Sequence, residues 1–134
     1  MKYLIVLVLG LSAITAKPLT DEQKQNFRNF YDGCVSETNV DKAVVEKAHH
    51  GEFENDDKLP FFFLCMSKKI GFRDANNVFQ PSSVKEKLSY VIDDAALVDK
   101  LAETCFVEKQ TPQESAMEAF KCYFKHTGDK HPFY

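Results

Sequence analysis

Cys34, Cys65, Cys105 and Cys122 each fall in or beside an apolar stripe of helical period, and no other feature of this 134-residue chain constrains its fold as strongly. Cysteines on helices can tie one helix to another, which restricts the faces that meet. Four of them allow three pairings, and the residues alone do not choose among these. The spacings of 31, 40 and 17 residues contain no C-x-x-C pair, which argues for disulfides and against a zinc site. If neighbours along the chain pair, each bond stabilises the fold by roughly 3–4 kcal/mol. That is a large part of a net stability of about 5–15 kcal/mol.

Disulfides need an oxidising compartment, and the N-terminus supplies a route to one. Lys2 gives a positive start, Leu4 to Ile14 an apolar run of 11 residues, and Ile14-Thr15-Ala16 a cleavage site ending in a small residue. Residues 1–16 are expected to be a signal peptide. The run is too short for a membrane span, which needs about 20 residues, so no membrane insertion is expected. Subtracting 16 from 134 leaves 118 residues, one domain over 17–134. Such a chain buries roughly 65% of its unfolded surface. With a net charge of −3 and no basic block, nucleic acid is excluded as a partner. The apolar inventory is unusual in one respect: 12 Phe, all beyond the export segment, and no Trp.

The periodicity predicts an all-α chain of six helices. Thr20 and Gln23 form a capping box, after which Phe27, Phe30, Tyr31 and Cys34 recur at i, i+3, i+4, i+7. Asp41 caps a short second helix with Val44, Val45 and Ala48, stopped near Gly51. Glu52 to Lys58 reads as a polar connection. The third helix carries Leu59, Phe62, Phe63, Met66 and Ile70 and ends at Gly71. Residues 72–80 read as an irregular connection. Pro81 opens a fourth helix with Val84, Leu88, Val91 and Ile92 on one side. Asp93 or Asp94 caps a fifth, with Val98, Leu101, Ala102 and Cys105. Thr111-Pro112-Gln113-Glu114 starts the sixth, which carries Ala116, Met117, Phe120, Tyr123 and Phe124 to Gly128. A tail, 129–134, closes the chain.

A secretory signal, six helices and this cysteine order resemble the insect odorant-binding proteins, the pheromone and general odorant-binding family. That family has six cysteines, the second and third separated by three residues and the fifth and sixth by eight. The segment Pro60 to Phe72 is similar to its third helix, with Cys65 at the third cysteine and Phe61 at the place of the second. Phe120-Lys121-Cys122-Tyr123-Phe124 is similar to the segment around the sixth, with Gln113 near the fifth. Cys34 and Cys105 match the first and fourth. Loss of the second and fifth together marks the four-cysteine, or minus-C, subclass. The resemblance implies the bonds Cys34–Cys65 and Cys105–Cys122. It leaves Phe61 to add apolar contact where a bridge is missing, at the cost of mobility between the third and sixth helices.

The resemblance also implies a compact disulfide-stapled bundle around an apolar cavity, and a carrier of a small apolar or amphipathic molecule. Candidate lining residues are Phe63, Met66, Leu88, Val91, Leu101, Met117, Phe120 and Phe124, with Phe133 and Tyr134 of the tail as a lid. Bulky aromatic walls resist collapse and can leave space for a ligand, and Met66 and Met117 supply adaptable walls. The competing reading is that each is ordinary core and the tail a frayed end. Carriage needs no cofactor and no metal. A membrane receptor and a second copy of the chain are the further partners this reading allows, in sensillum lymph, haemolymph or a glandular secretion.

His49 and His50 with Glu52 and Glu54 form either a metal site or a cationic helix end. His126 and His131 flank the tail and would make it pH-sensitive. No G-x-S-x-G, H-E-x-x-H or phosphate-binding glycine loop occurs, and Ser115 has no histidine near it in sequence, so no enzyme is expected. The rival to a carrier is a secreted helical signalling or interaction protein that binds a protein partner through an exposed face.

Overall fold

The computed structural model describes residues 19–128. The proposed signal peptide and the tail, with His131, Phe133 and Tyr134, lie outside the described residues. The fold is all-α: α1 (Asp21–Thr38), α2 (Lys42–His49), α3 (Leu59–Ile70), α4 (Pro81–Ser89), α5 (Ala95–Thr104) and α6 (Pro112–Thr127). β-pairing among the described residues amounts to one isolated bridge between Arg73 and Phe79.

The helices begin where their capping chemistry dictates. Thr20 Oγ1 accepts from Gln23 N at 3.1 Å while Thr20 N donates back to Gln23 Oε1 at 2.9 Å. Asp41 accepts from Ala43 N, and Asp94 rather than Asp93 accepts from Ala96 N and Leu97 N. Thr111 Oγ1 accepts from Glu114 N at the start of α6. At α3 the cap comes from further back, because Asp56 Oδ1 accepts from both Lys58 N and Leu59 N. α3 stops at Gly71, whose φ of 99° lies in the left-handed region that glycine adopts without penalty.

α3 and α6 share the most extensive helix–helix packing, followed by α1 with α3. α3 is thus the central helix, which explains why its apolar face is the densest in the chain. Cys34–Cys65 ties α1 to α3, and Cys105–Cys122 ties the end of α5 to α6. This is the pairing that the resemblance implies.

Several expectations need correction. Phe61 does not fill the place of the lost bridge: it is 48% exposed, because Phe62 and Phe63 (each 1% exposed) take the inward phase of α3. α4 ends at Ser89, so Val91 and Ile92 are buried from the turn beyond it.

The connection 72–80 is built rather than irregular. Asp74 Oδ1 accepts from Asn76 N and Val78 N, and its Oδ2 from Gln80 Nε2. The Arg73 side chain is fully buried, pairs with Glu108 at 3.0 Å and lies 4.0 Å over the Phe79 ring. Glu108 Oε1 also accepts from Phe79 N at 3.0 Å. Phe72 and Phe79 thereby enter the core, both edge-on to Phe106 at 5.0 and 5.5 Å.

Candidate ligand-binding site

The interior is organised by aromatic rings. Tyr31 of α1 meets Phe62 edge-on at 5.6 Å, Phe62 meets Phe63 at 5.6 Å, and Phe63 stacks on Phe120 of α6 at 4.6 Å. Phe53 from the α2–α3 connection joins the group, 6.4 Å from Phe63 and 6.2 Å from Phe124. Edge-to-face and offset contacts of this kind add about 0.5–1.5 kcal/mol each beyond burial. Burial of the Tyr123 hydroxyl among these helices pushes its pKa well above 10.

Of the sequence-nominated lining, Phe63, Met66, Leu88, Val91, Leu101, Met117 and Phe120 are all buried in one continuous core. Phe124 is half-buried, its ring close against Gly51: a Cβ there would stand 2.5 Å from Phe124 Cε1. Gly51 also has a φ of 85°, so both space and conformation require glycine. The seven buried residues thus share one core, Phe124 lies at its edge, and Phe133 and Tyr134 lie outside the described residues.

The accessible space lies beside this core. A cleft of about 190 Å³ opens where the first half of α1 passes the C-terminal ends of α3 and α4. Leu19, Phe27, Phe30 and Ile70 form its apolar side, and each packs on the core. Gln23, Asn26, Lys69, Lys87 and Tyr90 form its polar side. A groove of about 570 Å³ follows the outer face of α3, where Phe61 and Leu64 are bordered by Lys58, Lys68 and Lys69.

These features have relatives. The model of the PBP/GOBP family matches residues 16–126. The chain belongs to this family. The B2 protein of Tenebrio molitor is 32% identical to this PBP/GOBP chain over 112 residues, covering 84% of it and 88% of the relative. Apis mellifera odorant binding protein 5 superposes with a TM-score of 0.72 over 86% of this chain and 98% of its own, at 17% identity, and so shares the fold. The THP12 carrier protein of yellow meal worm is 35% identical, with a TM-score of 0.58 over 69% of this chain and 85% of its own. Two disulfides place this chain with the four-cysteine members. The family consists of small-ligand carriers, not enzymes.

Side chains that suggested other chemistry have other work in this PBP/GOBP fold. Ser115 is fully buried, accepting from Lys109 N at 2.7 Å and donating to Thr111 O at 2.8 Å, so it fastens the turn before α6. His49 and His50 lie 3.7 and 4.0 Å from Glu46, while Glu54 pairs with Lys47 at 2.6 Å. Cys105, Cys122 and His126 cluster closely enough to resemble a metal site, but the sulfurs are bonded to each other. His126 Nδ1 instead sits 2.9 Å from the Cys122 carbonyl.

Sequence reasoning missed Phe53, Phe72 and Phe79 as core residues, and it missed the cleft. Phe27 and Phe30 were visible as an apolar face of α1, which is the one signal for the cleft that the sequence carries.

Proposed function

We propose that this PBP/GOBP chain is a secreted carrier that shelters one small apolar or amphipathic molecule and releases it elsewhere. Family membership carries this reading, supported by an apolar cleft set against an aromatic core. Burial of the ligand's apolar surface supplies the driving force, about 25 cal/mol per Å² removed from water. The ligand enters at the α1–α3–α4 cleft. Phe63, Met66, Leu88, Val91, Leu101, Met117, Phe120 and Phe124 back the site, with Phe133 and Tyr134, outside the described residues, as its proposed lid. Met66 and Met117 are the core side chains best able to repack around a guest.

The apolar segment at residues 1–16 and the two disulfides support secretion. No helix among the described residues is long and apolar enough to cross a membrane. Expression in insect cells is expected to release a chain beginning at Lys17. Native mass spectrometry of that oxidised chain with a panel of volatile and fatty ligands tests carriage. One-to-one adducts support it, and their absence across the panel rejects it.

A second reading, a protein-binding role through an exposed face, is favoured by Phe61, which is 48% exposed in the α3 groove. Deleting Phe133 and Tyr134 separates the lid from a passive terminus: a lid slows ligand release, a frayed end leaves it unchanged.

A further inference from the structure

The two disulfides have opposite chemical neighbours. Beside Cys105–Cys122, His126 Nδ1 stands 3.9 Å from each sulfur. That nitrogen also lies 2.9 Å from the Cys122 carbonyl oxygen, which can only accept, so Nδ1 carries the hydrogen and an N–H donor stands next to the bond. The Thr104 hydroxyl is equally near Cys105 Sγ, but it donates its hydrogen to Lys100 O at 2.7 Å. Beside Cys34–Cys65 the neighbour is a carboxylate, with Glu37 Oε2 3.2 Å from Cys65 Sγ. Lys69 Nζ, 3.3 Å from Glu37 Oε1, is solvated and offsets that charge only in part. Access does not separate the bonds: each has one buried cysteine, Cys105 or Cys34, and one half-buried, Cys122 or Cys65. Packing does, because α1 and α3 also pack closely on each other, whereas α5 packs far less on α6.

We propose that Cys105–Cys122 is a thiol-exchange site, opened by small-molecule thiols through attack at Cys122 while Cys34–Cys65 stays closed. The thiolate RS⁻ approaches the half-buried Cys122 Sγ, and an RS–Sγ bond forms as the Cys122–Cys105 bond breaks. The electron pair leaves on Cys105 Sγ, where the His126 N–H stabilises it by a charge-assisted hydrogen bond until solvent supplies a proton. A second thiolate attacks the RS sulfur and releases Cys122, so the protein gains two electrons and two protons and the thiol is oxidised to RS–SR. At Cys65 the same approach brings a thiolate against the Glu37 carboxylate, and no described N–H donor stands beside the leaving sulfur. Because His126 and Glu37 are both exposed, the two effects together favour exchange at Cys122 by about 10-fold. Opening this bond unties α5, which carries Leu101 of the core, and leaves α1 tied to α3.

The test treats the oxidised mature chain with 2-mercaptoethanol, a thiol with no other charge, in native buffer. Samples are quenched with acid, free thiols are alkylated, and each cysteine is followed by peptide mass mapping. The expected result is a mercaptoethanol adduct on Cys122 with free Cys105, forming about 10-fold faster than any change at Cys34 or Cys65. His126→Leu slows exchange at Cys122 and leaves Cys65 unchanged, whereas His126→Gln, which keeps an N–H donor, retains most of the rate. Glu37→Gln speeds exchange at Cys65 and leaves Cys122 unchanged. Equal rates for the two bonds in the native chain, or faster opening of Cys34–Cys65, would overturn the inference. So would an adduct on Cys105 in place of Cys122, or a preference that survives in a His126→Leu, Glu37→Gln double variant. None of these outcomes bears on the carrier reading.

Discussion

Phe63 of α3 and Phe120 of α6 stack with ring centroids 4.6 Å apart and planes inclined by 27°. They join the two helices that pack most extensively, and both rings are at least 94% buried. Replacing Phe120 with Ala removes the stack and leaves a cavity in a close-packed interior. The expected loss is about 3–5 kcal/mol in urea-unfolding free energy. A loss below about 1 kcal/mol would mean that this pair does not anchor the interior.

The two disulfides close loops of different length, 31 residues for Cys34–Cys65 and 17 for Cys105–Cys122. Chain-entropy reasoning predicts that a Cys105→Ser, Cys122→Ser variant loses about 3 kcal/mol. The Cys34→Ser, Cys65→Ser variant should lose about half a kcal/mol more. Denaturant unfolding of both variants checks the order.

Arg73 is buried with its charge facing the half-exposed Glu108. Arg73→Met strips the partner from Glu108 and releases the connection 72–80 from the segment before α6. The expected cost is about 2–4 kcal/mol, under the 3–5 kcal/mol of fully buried pairs because water still reaches Glu108. Glu108→Gln should cost at least as much, since it leaves the fully buried Arg73 charge without its counter-ion. Thermal melts of the two variants rank them.

Tyr123 is 3% exposed, and its burial raises the phenol pKa above the ordinary value of 10. The folded state keeps its proton at pH values where the unfolded chain gives it up. This contribution is intact below pH 10 and falls by about 1.4 kcal/mol per pH unit above it. In unfolding experiments between pH 9 and 11.5, Tyr123→Phe is expected to lose stability less steeply than the native chain.

The helices were legible because their signals are local. Thr20 with Gln23, Asp41, Thr111 and the stops at Gly71 and Gly128 act within a few residues, and the structure uses each of them. The disulfide pairing came from the family likeness, since spacing leaves three choices open. What escaped has long-range causes. Phe72 and Phe79 are buried because Arg73 meets Glu108 across 35 residues, which no periodicity reports. The run Phe61-Phe62-Phe63 is apolar in every phase, so only packing against α1 and α6 decides that Phe61 faces water. The cleft draws its walls from three helices, which no local pattern reports.

The central claim is that this chain carries a small apolar or amphipathic molecule. Displacement of a fluorescent apolar probe from the oxidised mature chain tests it most directly. Saturable one-to-one probe binding, reversed by a subset of volatile and fatty competitors, is the expected result. Failure of the probe and every competitor to bind a correctly disulfide-bonded sample would contradict it.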